Sequence, residues 1–396
     1  ELDWIKTKIN VRGEELQVVL LRFGQKDFLT YEARLRHLSA IRSIIIVSKG
    51  TGKGAASMVD RRKDRAMGAI IGSLIGDSIG MGCHWYYNTE EQERDCGTWI
   101  SDYQDPSPSR QDTWGKVSKL RYDLGLRSGD VSQTGEFSVM LIESLYENGG
   151  VYKQSDFTDR VNQLLKQIDG TSMSGRFTDR AIRHLWKNRS ADISWGDAGS
   201  DTDTAEAAIR AISLVARKID NQQQLAAEAY ENIWLTHNNS YVAGQSLTYA
   251  LAVAGLIQGI SLSDIRAHMS QLGDDKYICD RTVSPDIRFQ IGNEAAQMGA
   301  NQELDLDPVV VCRLFGMNCT LGFMLPAAYF LIHRYPADYE MAVLTAVNAG
   351  GNNMARAALV GGLSGALVGL SGIPGRFVDG LKNSEHYLDM ADVVAN

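Results

Sequence analysis

The chain has 396 residues, 44% of them hydrophobic and 22% charged, with a formal net charge of -8. Such a composition is globular and allows one large core plus an appendage, and the acidic balance excludes a nucleic-acid binder whose whole surface is basic. Five cysteines (Cys83, Cys96, Cys279, Cys312, Cys319) include no Cys-x-x-Cys pair. Neither zinc spacing nor a disulfide framework is expected, and the reading is an intracellular, reducing compartment: cytoplasmic, or mitochondrial if Glu1 follows a cleaved targeting peptide.

Taken in chain order, residues 1–65 carry 14 Lys/Arg against 8 Asp/Glu, whereas the rest carries 26 against 40. A basic arm therefore precedes an acidic body. Within the arm, 18–23 and 44–47 are short β-prone runs, and 48–56 is a Gly/Lys/Ser-rich breaker. The string SKGTGKGAAS resembles a phosphate loop but has Val47 where its first glycine is needed. The chain is divided at residue 60: 1–60 as an N-terminal extension that docks a protein partner, 61–396 as the main domain.

From residue 65 onward a helical period dominates. It predicts helices over 65–83, 135–148, 155–168, 175–187, 203–219, 221–236, 241–258, 262–271, 308–333, 336–348, 353–371 and 374–381. The fold class expected is all-α, a compact multi-helix bundle with an N-terminal extension. The stretch 88–120, rich in Asp, Ser, Pro and aromatics, reads as a surface loop. Among the apolar runs, 66–83 is interrupted by Asp77 and 359–370 is too short, so no membrane span is expected.

Two helices carry glycine at every fourth position: Gly68, Gly72, Gly76 and Gly80, then Gly361, Gly365 and Gly369. That spacing puts each set along one stripe. Glycine inside a helix costs up to ~1 kcal/mol against alanine, so a stripe of it implies a close backbone approach. If the two helices cross antiparallel, the end of the first at Asp77 to His84 meets the start of the second at Gly350 to Arg356, and two distant polar motifs share one pocket.

Four polar strings lie at expected helix ends: Gly76-Asp77-Ser78 with His84-Trp85; Gly129 through Ser132-Gln133-Thr134-Gly135-Glu136; Gly199-Ser200-Asp201-Thr202-Asp203-Thr204; and Gly350-Gly351-Asn352-Asn353-Met354-Ala355-Arg356. Helix starts present free N–H groups and suit anions or phosphates, but each string singly also reads as a cap. Asp203 with Glu206 makes a D-x-x-E box that needs no ligand.

The helix RAMGAIIGSLIGDSIGMG resembles the first helix of the ADP-ribosylglycohydrolase family, and GGNNMARAALVGGLSGALVGLSGIP resembles its last motif. The phrases GMGCHWYYN, GDVSQTGE and GGNNMARA are closest in character to the branch holding jellyfish J1 crystallins and selenoprotein J. The resemblance implies a helical bundle whose catalytic members use two Mg²⁺ ions, held by acidic strings, to cleave the bond between ADP-ribose and a protein side chain. Those strings are altered here. Gln133 and Thr134 stand for two aspartates after Ser132, Asn352 and Met354 stand for two more, and His84 falls on the glutamate near the metals. Asp77 alone survives as an acidic match.

Loss of four carboxylates removes the charge that would hold two dications ~4 Å apart, so no metal cofactor is expected, with Mg²⁺ the cofactor if the site is active. Asp77, His84 and Glu136 are pocket candidates; Ser132, Gln133, Thr134, Asn352, Asn353 and Arg356 are ligand-binding candidates; Asp201 and Asp203 are fallback metal ligands. Each has a plainer alternative: His84 as a structural histidine, Arg356 in packing, His237 as a polar helix end, Tyr86, Tyr87 and Trp195 as packing aromatics. Three functions compete: a hydrolase with an atypical site, a module binding an ADP-ribose-like small molecule, and a non-catalytic structural or assembly subunit. The degraded strings and the appended arm favour the third, and function must be argued from the site, not the fold.

Overall fold

The computed structural model describes residues 4–11, 14–21, 44–47, 58–282 and 293–396. By internal packing the chain divides into 1–57 and 58–396. The first unit holds a three-stranded antiparallel meander: β1 (Trp4–Val11), β2 (Glu14–Leu21) and β3 (Ile44–Val47), with Ile9 opposite Leu16 and Val18 opposite Ile46. The β-prone runs at 18–21 and 44–47 fall on β2 and β3. Residues 22, 23 and 48–56 lie outside the described residues, and β1 has no counterpart in the sequence reading.

The second unit is built of helices, with strand pairing limited, among its described residues, to isolated bridges. In order they are α1 (Met58–Gly82), α2 (Thr89–Cys96), α3 (Gly115–Asp123), α4 (Gln133–Glu147), α5 (Gln154–Leu165), α6 (Arg180–Ser190), α7 (Glu206–Val215), α8 (Gln222–Trp234), α9 (Ser240–Gln258), α10 (Ile265–Leu272), α11 (Lys276–Arg281), α12 (Asn293–Ala300), α13 (Pro308–Phe315), α14 (Leu321–Arg334), α15 (Tyr339–Asn348), α16 (Asn353–Val368), α17 (Gly375–Gly380) and α18 (Ser384–Ala395).

Three expectations need correction. The run read as one helix over 308–333 is two, α13 and α14, because Gly316 adopts φ 134° and the chain turns before Thr320. The segment read as helix from 175 begins only at 180, since Phe177 takes φ 80° and Asp179 is an extended N-cap. The supposed surface loop over 88–120 contains α2 and the first residues of α3, and buries Gln92, Ile100, Arg110, Val117 and Ser118. Helix α9 is long and apolar enough to cross a membrane by composition, yet it packs inside the core.

At the centre, α1 and α16 cross antiparallel. A methyl placed on Gly68 would overlap the Gly365 carbonyl, one on Gly72 the Gly361 carbonyl, one on Gly76 the Ala357 carbonyl, and one on Gly80 the Met354 backbone. The stripes therefore interlock backbone to backbone. Around this pair α7, α9, α14 and α15 bury α16 on every side, so that nearly all of Asn353 through Ala366 is inaccessible. Hydroxyls of Tyr339 and Tyr249 donate to the Gly72 and Leu359 carbonyls at 2.7 and 2.8 Å. Replacing Gly365 by leucine is expected to cost at least the ~3 kcal/mol upper range of overpacking, because the facing atoms are backbone; urea unfolding measures it, and a loss below ~1 kcal/mol would contradict the close crossing.

Candidate functional site

The crossing delivers the C-terminal end of α1 to the start of α16. Asp77, 1% exposed, accepts from the Ser132 N–H at 2.7 Å and the Ser132 hydroxyl at 2.6 Å. That hydroxyl also caps α4 by accepting from the N–H groups of Thr134 and Gly135. Burial raises the Asp77 carboxyl, and the two Ser132 bonds with the Arg121 and Arg176 charges oppose that rise. Gly135 is required here, since any Cβ would strike the Asp77 carboxylate. Thr134 is buried behind the cap.

On the other wall His84, also buried, holds Asn352 Oδ1 with Nε2 at 2.9 Å. Asn352 Oδ1 in turn receives the Ala355 N–H, starting α16. Burial, together with the Arg121 charge, pushes His84 well below the ordinary histidine range and keeps it neutral. Its ring stacks on Trp85 at 3.8 Å, and Trp85 stacks on Trp114 at 4.5 Å and meets Phe177 edge-on at 4.7 Å. Trp85 and Phe177 both have left-handed backbones, φ 64° and 80°, a conformation that costs a bulky residue ~1–3 kcal/mol. Arg110 clamps this turn by donating to the His84 and Trp85 carbonyls at 2.6 and 2.9 Å.

Gly350 and Gly351 must be glycine because both are left-handed and Gly351 lies against Met317. Gly351 exchanges hydrogen bonds with Tyr86 and Trp85, and the Asn352 N–H donates to the Met317 carbonyl at 2.7 Å. Arg356 does not reach out to a ligand. It is fully buried and donates to the carbonyls of Ala346, Gly350 and Gly316. Asn353 likewise turns inward to the Cys83 and Val347 carbonyls.

A second group sits beside the α4 start. Gln133 reaches with Nε2 to the Thr178 hydroxyl at 3.4 Å, and the next residue, Asp179, caps α6 through the Ile182 N–H at 2.9 Å. Glu206 opens α7 next to Asp179 in electrostatic reach. The D-x-x-E box expected of Asp203 and Glu206 does not form: α7 has no side-chain cap, Asp203 instead accepts from the Thr320 hydroxyl at 3.1 Å, and Glu206 turns toward buried His237, whose Nε2 lies 3.4 Å from Oε2. His237 is no mere helix end, since its ring nitrogens meet the Thr204 and Thr236 hydroxyls, each at 3.0 Å. Burial and the Glu206 charge push Asp179 up to about 7, while His237 and the Thr204 hydroxyl overcome burial to hold Glu206 below its ordinary value.

Other candidates lie apart. Glu136 pairs with Arg176 at 3.5 Å and lines a groove of ≈ 380 Å³ with Met140, Arg160 and His386. Asp201 is exposed beside His184, and Trp195 packs under Arg189. Asp179 lies unmarked inside the helix expected over 175–187, and Glu206 is read from sequence only as the partner of Asp203 in a capping box. The signal available was Glu206 two residues past a Thr-Asp-Thr string that already offered caps.

A helical bundle is centred on a glycine-ridged crossing, with polar strings at three helix starts and at the C-terminal end of α1, and the chain belongs to the ADP-ribosylglycohydrolase family, whose model matches residues 58–396. Crystallin J1A of Tripedalia cystophora is 24% identical over 342 residues, 84% of this chain and 97% of that one. An uncharacterized protein of Archaeoglobus fulgidus is 25% identical over 268 residues, 67% of this chain and 80% of its own. In fold, the chain is similar to an ADP-ribosylglycohydrolase-related protein complex with a TM-score of 0.57 at 20% identity, covering 85% of this chain and 98% of that one.

The dinuclear Mg²⁺ centre implied by that family does not fit the residues present. Both Asp77 oxygens are taken by Ser132, the Asn352 oxygen by His84 and Ala355, and among the described residues no three His, Cys, Asp or Glu side chains are grouped to hold a metal.

Asp179 generates a pH-dependent prediction. Its carboxyl is raised on folding, so the folded chain binds more protons than the unfolded one between about pH 4 and 7, and stability falls as pH rises through that window. Asn at this position keeps the cap and cannot ionise. The melting temperature of Asp179→Asn relative to wild type is expected to improve from pH 5 to pH 8; a difference independent of pH would show that Asp179 does not carry the raised carboxyl.

Proposed function

We propose that this chain is a non-catalytic member of its family that acts as a structural or assembly subunit. The observation that carries the reading is the inward closure of the site: the Asp77–Ser132 and His84–Asn352 pairs consume each other's hydrogen-bonding capacity where a catalytic site would present carboxylate oxygens to cations. A buried neutral histidine stacked on tryptophan is a packing element. The protein sharing 97% of its length with this chain bears the name of a crystallin, which supports the same direction.

Calorimetric titration with Mg²⁺, together with hydrolysis assays on ADP-ribosylated arginine and serine, tests the reading. The expected result is no saturable binding of two ions and no turnover. Binding of two Mg²⁺ with measurable hydrolysis would overturn it and turn attention to Glu136, Asp201 and Asp203 as the replacement ligands.

Residues 1–60, which lie within a basic first 65 residues of net +6 against -14 for the remainder, are the docking element of this proposal. A chain starting at Met58 is expected to keep the melting temperature of the full chain and to lose salt-sensitive association with an acidic protein partner. A drop in melting temperature on removing 1–57 would make that segment part of the stable fold.

A further inference from the structure

The surface around α13 carries apolar side chains that the core leaves out. Val310 and Leu314 stand one turn apart on one face of α13, and Leu314 is 80% exposed. The far side of the helix is spent inward, with Val311 and Cys312 buried. Past the break, exposed Phe323 lays its ring against Gly316, two residues beyond Leu314. Ahead of the helix, Leu304 and Leu306 are also exposed. This segment is anchored: Asp307 caps α13 through the Val309 N–H at 2.8 Å, and the Arg334 guanidinium donates to the Leu304 carbonyl at 2.8 Å. Single exposed apolar residues are ordinary, but a run of them on a fixed helix face marks a surface that another molecule covers.

What borders the stripe is acidic. Glu303, Asp305 and Asp307 alternate with the two leucines and face solvent, and among the described residues none of the three is in an ion pair. The cations at hand are turned to backbone: Arg313 donates to the Ala349 and Asn348 carbonyls, and Arg334 to those of Asn301 and Leu304. An acidic border on an apolar stripe selects a partner of the reverse charge. It repels an anionic lipid surface, and a second copy of the chain would bring the same three carboxylates.

We propose that the exposed face of α13 docks an amphipathic helix of a partner protein, with apolar residues at i and i+4 packing on Val310, Leu314 and Phe323 and with lysines or arginines in its last turn beside Glu303, Asp305 and Asp307. Antiparallel packing sets the partner's C-terminal turn, where cations are favoured, at the acidic start of α13. This contact is separate from the docking assigned to residues 1–60 and calls for the opposite charge in its partner. It requires no metal and no turnover, so it stands whether or not the chain is catalytic.

Fluorescence anisotropy on the full chain tests it with a labelled helical peptide of about 15 residues, leucines at i, i+3, i+4 and i+7 and lysines in the last turn, against the same peptide with glutamates for the lysines. Saturable binding of the lysine peptide is expected, the glutamate peptide being about tenfold weaker or more. Leu314→Ser should weaken binding about tenfold, and Asp305→Asn should reduce both the affinity and its salt dependence. Val151→Ser, at another exposed apolar residue between α4 and α5, should leave binding unchanged. Val310→Ser serves if Leu314→Ser fails to fold. No saturable binding of the lysine peptide, equal binding of the glutamate peptide, or undiminished binding by the folded α13 variants would overturn the proposal. Self-association of the chain in sedimentation that Leu314→Ser abolishes would overturn it too, by giving the face to a second copy.

Discussion

Everything in the helical unit is referred to one constraint, the contact of two bare backbones where α1 crosses α16. Helices with side chains between them stand 8–10 Å apart; here the carbonyls of Gly68, Gly72, Gly361 and Gly365 occupy the space a single methyl would need. Register between the helices is thereby fixed to one residue. Because the helices are antiparallel, the register also fixes which end of α1 reaches which end of α16, and so brings His84 within hydrogen-bonding distance of Asn352, 268 positions away in sequence.

At the site built on that crossing, neutral groups answer the one buried carboxylate of α1. Carboxylates gathered at helix starts repel one another and need cations to hold them together. Amide, hydroxyl and imidazole groups in the same places can satisfy each other, as Ser132 does for Asp77 and Asn352 for His84. The acidic charge nearby rests on Asp179, whose carboxyl burial and Glu206 raise, and on Glu206, which His237 and the Thr204 hydroxyl hold low.

Much of the fold was legible because its cause is local and periodic. The glycine stripes announced their own partner: a helix that sacrifices propensity every fourth residue must recover it through contact, and few elements in the chain could meet it. Ser132 and Asn352 were legible as helix starts for the same reason. The break at Gly316 had a local signal that the helical reading passed over, since Gly316, Asn318 and the N-cap Thr320 fall within five residues. What was not legible depended on long-range packing. Arg356 looked available for a ligand, whereas three carbonyls from α15 and the turns beside it hold its two terminal nitrogens. Asp179 and Glu206 each fit a local explanation, and only the folded chain shows them side by side.

The short break between α13 and α14 links the halves of the site. Gly316 gives its carbonyl to Arg356, Met317 gives its carbonyl to the Asn352 N–H, Cys319 lies by the acidic pair, and Thr320 ties to Asp203. Four residues of a five-residue turn thus serve both walls at once. A single insertion or deletion in this turn would shift the Arg356 and Asn352 contacts and the Asp203 contact together, so the two walls cannot be adjusted separately through this stretch of chain.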